Sequence, residues 1–115
     1  MGSALVGWLG AFAFTQAVEV PIYARALRCG WARAAGASAL THPIVWFVFP
    51  AVAELLSLEW LTMVIIAELF AWWAEAAYFR KVARVPWPRA LAVSLAANGA
   101  SVLLGLLSRA CFDWP

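Results

Sequence analysis

Residues 60–79 read WLTMVIIAELFAWWAEAAYF, a stretch in which the only charged side chains are Glu68 and Glu75. An α-helix rises about 1.5 Å per residue, so a helix of this length crosses the roughly 30 Å hydrocarbon core of a bilayer. The stretch therefore predicts a membrane-spanning helix that carries two acidic side chains into the apolar layer.

Three further apolar segments of similar length surround this one, at about 4–24, 36–58 and 88–107. Of the 115 residues, 66% are hydrophobic and 12% are charged, whereas soluble domains are about 45–50% apolar and about 25% charged. The composition excludes a folded domain outside the membrane. It predicts an all-α, polytopic membrane protein, with residues 1–115 forming a single four-helix transmembrane domain.

The basic residues indicate how the helices are oriented. All but Arg109 fall in two loops, which hold Arg25, Arg28 and Arg33, and Arg80, Lys81, Arg84 and Arg89. Cytoplasmic loops are enriched in Lys and Arg, so both loops are predicted to be cytoplasmic and both termini outside. This distribution is typical of a topology signal and argues against a nucleic-acid partner. The short turn at 57–59 lies outside, with Ser57 as a candidate helix cap, and Cys29 and Cys111 face opposite compartments.

A shift of 56 residues aligns the two halves of the chain without a gap. The matched pairs include Glu19 with Glu75, Arg28 with Arg84, Trp31 with Trp87, Arg33 with Arg89, Ser38 with Ser94, and His42 with Asn98. The alternative is that any two hairpins with basic loops look alike, which explains the Arg matches but not the Glu and Ser matches. We therefore predict two tandem hairpin repeats, at about 4–58 and 60–108.

Seven polar residues inside the spans are candidates for a ligand site or an ion path. A first layer holds Glu19, His42, Glu75 and Ser94, and the deeper positions are Glu68, Asn98 and Ser101. Counted from the basic loops at helical rise, the first layer lies roughly 7–9 Å from the cytoplasmic edge. An acidic residue at the centre of a spanning helix costs about 3 kcal/mol on insertion scales, so these side chains are expected to face the protein interior.

Carboxyl, imidazole and amide groups at one depth can pass protons or bind a divalent cation, for which Glu19, His42 and Glu75 are the candidate ligands. The alternative is that the same groups hydrogen-bond one another and lock the bundle. His42 could also ligate a haem or chlorophyll, although a single His is more often structural, and no cofactor is assigned. Pro43 predicts a kink beside His42. Tyr23 and Tyr78 are interpreted as interface anchors.

The chain resembles a group of small four-span bacterial inner-membrane proteins of unknown function. The residues that carry the resemblance are Glu19-x-Pro21-x-Tyr23, Thr41-His42-Pro43-x-x-Trp46, Glu68 with Glu75-x-x-Tyr78, and Ser94-x-x-x-Asn98-x-x-Ser101-x-x-x-Gly105. The resemblance covers nearly the whole chain and implies a multi-pass protein of the bacterial inner membrane. It implies no activity.

The sequence contains no GxSxG, HExxH or paired-Asp motif, so we do not expect an enzyme. The favoured function is a small transporter or channel for protons or a cation. The alternative is a non-catalytic accessory subunit of a larger membrane complex. The expected partners are the lipid bilayer and either further copies of this chain or other membrane subunits.

Overall fold

The computed structural model describes residues 2–113, with side chains from Leu5 onward, and this part of the chain contains helices and no strand. The helices are α1 (Gly2–Leu27), α2 (Trp31–Pro43), a π-helix (Ile44–Val48), α3 (Phe49–Leu55), α4 (Trp60–Val82) and α5 (Trp87–Phe112). Four helical segments are long and apolar enough to cross a membrane: Leu5–Leu27, Trp31–Leu55, Trp60–Val82 and Trp87–Phe112. The predicted all-α class is confirmed, together with four helical segments able to span a membrane.

The helices extend further toward the basic loops than the sequence predicts. α1 continues to Leu27, α4 to Val82, and the second span begins at Trp31 rather than at residue 36. Basic side chains in the last turn of a helix interact favourably with the negative end of the helix dipole. A helix can therefore continue past the point where its apolar stretch ends. At the opposite turn, Glu59 precedes α4 in extended conformation without a side-chain cap. Ser57 has a left-handed φ of 56°, so its assignment as the cap was wrong.

The four spans form a ring in which each helix packs against two neighbours. α1 packs against α2 and α5, while α4 packs against α5 and against the segment made of α2, the π-helix and α3. α1 and α4 therefore lie across one diagonal of the bundle. Tight turns join antiparallel neighbours, which is the arrangement expected of two hairpins set side by side.

Small residues form most of the core at the end of the bundle that carries the basic loops. Tyr23 and Phe79 are fully buried there with their ring centroids 4.4 Å apart. Ala34, Ala37, Ala76, Ala90 and Ala97 are also fully buried around them. Alanines let helices approach closely, so this end of the bundle is filled by side chains.

The irregularity predicted at Pro43 appears as the π-helix Ile44–Val48, which follows the proline directly. Proline lacks a backbone N–H and disturbs the hydrogen bonds of the preceding turn, and a π-helical turn absorbs such a defect. The second span thus changes its helical register between His42 and Phe49, where it passes the middle of the bundle.

Candidate functional site

A cavity of about 350 Å³ lies between the helices and contains most of the predicted polar side chains. The predicted site residues that line it are Glu19, His42, Glu68, Glu75, Asn98 and Ser101. Ser94 lies behind the wall, fully buried and hydrogen-bonded to the wall residue Asn98. The structure therefore brings the predicted path residues to one place, although it does not join them into one hydrogen-bonded group.

The cavity has a closed end and an end that reaches the surface. The residues that line the end at the surface include Gly7, Trp60 and Arg109, all of which are exposed. At helical rise Trp60 lies about 22 Å along α4 from Glu75. In the other direction, the core around Tyr23 and Phe79 fills the bundle. The acids thus lie at the closed end of a cavity that extends toward the 56–59 turn.

Glu75 is the centre of a buried hydrogen-bond network that joins all four spans. Its side chain is only 2% exposed. The Tyr23 hydroxyl donates to Oε1 at 2.5 Å, the Thr41 hydroxyl donates to Oε2 at 2.6 Å, and Asn98 Nδ2 donates to Oε1 at 3.2 Å. A carboxylate only accepts hydrogen bonds, so three donors suit the anionic form of this side chain. Tyr23, Thr41 and Asn98 come from α1, α2 and α5, and each ties its helix to α4.

Glu19 lies beside Glu75 with fewer partners. It is also 2% exposed, and the Ser38 hydroxyl donates to its Oε1 at 2.7 Å. The Glu75 carboxyl lies within hydrogen-bonding reach of it. The charged groups that act on Glu19 electrostatically are Glu75 and Glu68, both acidic. The closed end of the cavity therefore holds two adjoining carboxyls with a third acid nearby.

Ser94 and Trp72 fasten α5 to α4 behind this pair of acids. The Ser94 hydroxyl donates to the Trp72 carbonyl at 2.9 Å, and Trp72 Nε1 donates to the Leu91 carbonyl at 2.7 Å. Asn98 Nδ2 also donates to the Ser94 carbonyl at 2.9 Å, which fixes the amide that reaches Glu75. Ser94 therefore positions Asn98 and the helix interface rather than lining a path.

His42 lines the cavity but belongs to an aromatic cluster. Trp8 Nε1 donates to His42 Nδ1 at 2.9 Å, and the rings of Phe12 and Trp46 lie with centroids 5.3 and 6.3 Å from the imidazole. Within residues 2–113, no three His, Cys, Asp or Glu side chains are grouped so that they could hold a metal ion. The structure therefore does not assemble Glu19, His42 and Glu75 into a metal site.

Two partners of Glu75 were missed or misread in the sequence. Tyr23 was interpreted as an interface anchor, but it is fully buried and donates to Glu75. Tyr23 follows Glu19 by one helical turn, a spacing that places both on one face of α1 and was the available signal. Thr41 was named only as part of the motif around His42 and was given no role, although it follows Ser38 by three residues and shares its face. Tyr78 is half-buried and donates to the Arg33 carbonyl at 2.9 Å near the basic loops.

No family model, curated protein or solved structure matches this chain.

Proposed function

We propose that this chain is a small multi-pass protein of the bacterial inner membrane that carries protons or a cation through its acid-lined cavity. The observation that carries the proposal is the adjoining pair Glu19 and Glu75, each 2% exposed, at the closed end of a cavity that reaches the surface. Ionisable residues inside membrane spans are functional by default. An enzymatic role is not part of the proposal.

Electroneutrality at the closed end supports this function. Two adjacent carboxyls in a low-dielectric site cannot both remain charged unless something neutralises them. The hydrogen-bond donors on Glu75 are neutral side chains, and the charges that act on Glu19 are acidic. A proton or a cation entering through the cavity supplies the missing charge, and its exchange is the elementary step of carriage.

The hydrogen-bond network around Glu75 connects the binding of a proton or a cation to the packed core that closes the cavity. Tyr23 donates to Glu75 and packs against Phe79 in the core that separates the cavity from the basic loops. A proton or cation on the carboxyls competes with the Tyr23 hydroxyl for the same oxygens. Loading therefore weakens the contact between Tyr23 and Glu75, which favours a rearrangement that opens the other side.

Orientation follows from the seven Arg and Lys side chains in the two basic loops and in the helix ends beside them, all of which are exposed at one end of the bundle. We place this end in the cytoplasm, so that both termini and the open end of the cavity face outside. The conformation described is then accessible from outside and closed toward the cytoplasm.

The proposed hairpin duplication is supported by backbone features that recur at an offset of 56 residues. Arg28 and Arg84 have left-handed φ angles of 51° and 56°. Each is followed three residues later by a helix that begins at Trp, at positions 31 and 87. These features lie in the two basic loops, so the loops share a backbone geometry as well as a charge pattern.

A side-chain contact recurs at the same offset. Gln16 Nε2 donates to the Ala35 carbonyl at 3.0 Å, and Trp72 Nε1 donates to the Leu91 carbonyl at 2.7 Å. The diagonal placement of α1 and α4 fits a pseudo-twofold axis along the membrane normal, as in transporters built from parallel repeats. The cavity forms within a single chain, and assembly into a homo-oligomer or with other membrane subunits stays a prediction.

Flux measurements in liposomes test the proposed function. Uptake of protons or of an alkali cation, driven by a membrane potential, should be followed with an enclosed pH-sensitive or cation-sensitive dye for the wild type, for Glu19→Gln and for Glu54→Gln. Glu54 lies on α3, is exposed and does not line the cavity, so its substitution is the matched control. We expect Glu19→Gln to reduce flux of protons or alkali cations at least about tenfold and Glu54→Gln to leave it unchanged.

Equal flux in all three proteins would contradict the proposal. If, in addition, the chain is extracted with other polypeptides in fixed ratio, the accessory-subunit alternative is favoured, because the buried acids then serve assembly. Far-UV circular dichroism of each variant checks that the helices remain folded.

A further inference from the structure

We propose that the cargo of this cavity is an organic ammonium ion, with its charged head at Glu19 and Glu75 and its apolar substituents along the cavity walls. This inference rests on the proposed function and names the class of cation that the site accepts.

The volume of the cavity favours an organic ligand over a bare ion. The cavity measures about 350 Å³. Ligand pockets for small molecules begin at about 300 Å³. A dehydrated metal ion would leave most of this space unfilled, and among the described side chains no cluster of three His, Cys, Asp or Glu is placed to coordinate one.

The chemistry of the cavity changes along its length. The acids Glu19 and Glu75 lie at the closed end. The walls also include Phe14, Trp46 and Val102, which offer aromatic and aliphatic surface. A ligand that satisfies both parts has a cationic head and an apolar body.

Aromatic side chains support a cationic head as well as an apolar body. The face of an aromatic ring attracts an ammonium group electrostatically, and quaternary ammonium groups are bound in this way. A quaternary ammonium has no N–H to donate, so carboxylates and aromatic faces can hold it without leaving a donor unsatisfied. The donors Tyr23, Thr41 and Asn98 already occupy Glu75, which leaves the cavity side of the acid pair to interact through charge.

The charged residues that line the cavity also favour a cation at its inner end. Glu19, Glu68 and Glu75 are acidic, and His42 accepts a hydrogen bond at Nδ1 from Trp8. Arg109, the basic residue of the lining, lies about 16 Å along α5 from Asn98. The inner part of the cavity is therefore selective for positive charge.

Benzyltrimethylammonium and its uncharged carbon isostere neopentylbenzene form a matched pair of probes for this site. Binding of each should be measured by isothermal titration calorimetry with the full chain in lipid nanodiscs. The proteins compared are the wild type, Glu19→Gln and the control Glu54→Gln. We expect saturable binding of the ammonium that weakens at least about tenfold in Glu19→Gln and is unchanged in Glu54→Gln.

A cavity-filling variant, Val102→Trp, keeps every acid and should also abolish ammonium binding, because the larger indole side chain fills part of the cavity. Retained helical circular dichroism and an unchanged elution volume separate loss of the cavity from loss of the fold. Equal binding of the ammonium and its isostere would overturn the inference, since the site would then select for apolar shape alone, as a lipid chain does. Binding that is indifferent to both Glu19→Gln and Val102→Trp would overturn it as well.

The two proposals fail in distinguishable ways. Flux of protons or alkali cations that depends on Glu19, together with no saturable ammonium binding, overturns the inferred cargo and leaves the transport proposal intact. Ammonium binding that depends on Glu19, without flux of any cation in liposomes, supports the inferred ligand class and overturns the transport proposal.

Discussion

Replacing Tyr23 by Phe should lower the free energy of unfolding by about 1–2 kcal/mol while leaving the packing of the ring unchanged. The Tyr23 side chain is 0% exposed, and its hydroxyl oxygen lies 2.5 Å from Glu75 Oε1. Ser94 Oγ and Asn98 Nδ2 lie 3.2 and 3.4 Å from the same hydroxyl oxygen. A tyrosine has one hydroxyl proton, so it donates to the nearest acceptor, Glu75. The phenyl ring that remains keeps its contact with Phe79 at 4.4 Å.

The magnitude follows from what the hydroxyl contributes to a buried carboxyl. Hydrogen bonds to charged groups contribute about 1.5–3 kcal/mol in soluble proteins. Double-mutant cycles on hydrogen bonds between membrane helices average about 0.6 kcal/mol and reach about 1.7 kcal/mol. The Tyr23–Glu75 bond is short and fully buried, which places it in the upper part of the membrane range. The cavity left by one hydroxyl oxygen adds little to this loss.

Unfolding in mixed detergent micelles, titrated with SDS and followed by far-UV circular dichroism, measures the change. Tyr78→Phe is the matched control, since Tyr78 is the other tyrosine of the chain and donates to the backbone carbonyl of Arg33 at a less buried position. We expect the control to lose about 0.5 kcal/mol or less. Combining Tyr23→Phe with Glu75→Gln should show a coupling energy of about 1 kcal/mol. If Tyr23→Phe is no more destabilising than Tyr78→Phe, the hydrogen bond from Tyr23 to Glu75 does not stabilise the bundle and the reasoning is refuted.

Gly36→Ala should destabilise the chain by about 1–3 kcal/mol in the same titration, because a Cβ at this position overlaps the Tyr78 hydroxyl. Gly99→Ala, with no heavy atom within 4 Å of its Cβ, should be neutral or slightly stabilising. For the proposed topology, a membrane-impermeant maleimide added outside intact cells should label the Cys111 thiol of a Cys29→Ser variant. In a Cys111→Ser variant it should label Cys29 only after permeabilisation, and labelling of Cys29 from outside would reverse the orientation. Burial raises the pKa of the Cys29 thiol, so its labelling in permeabilised cells should be slow at pH 7 and should accelerate as the pH rises beyond the ordinary range for a thiol.

The shared level of Glu19 and Glu75 along the bundle was predictable from the sequence because a helix rises by a fixed amount per residue. Counting from the basic loops places Glu19 and Glu75 at one level, and the structure brings their carboxyls together. Counting residues does not predict which way the His42 side chain points, because this residue stands one position before Pro43 and two before the π-helix. The side chain turns to Trp8, a contact across 34 residues that no local pattern indicates.

Tyr23 shows the limit of using hydropathy to locate a membrane boundary. The predicted first span ended at residue 24, which placed the phenol at the interface. α1 instead continues to Leu27, and Arg25 stands in its last turn, so Tyr23 lies a full turn inside the helix end. Its burial depends on the neighbouring helices, because Phe79 of α4 and Ser94 of α5 cover it. Such packing arises only when the four spans are assembled, so the sequence of one span does not reveal it.

The two buried acids Glu19 and Glu75 lie at the same level of the bundle but have different hydrogen-bond partners, and from this difference we expect different roles. The residue four positions after Glu75 is Phe79, whereas the residue four positions after Glu19 is Tyr23, and the hydroxyl of Tyr23 crosses the bundle to Glu75. Glu75 therefore accepts three hydrogen bonds from other helices, while the hydroxyl of Ser38 is the donor to Glu19. Displacing the partners of Glu75 breaks hydrogen bonds from three other helices, whereas loading Glu19 with a proton or a cation changes its hydrogen bond from Ser38 and its contacts with Ser101 and the adjoining Glu75 carboxyl. We therefore expect Glu75 to set the geometry of the site and Glu19 to exchange its charge.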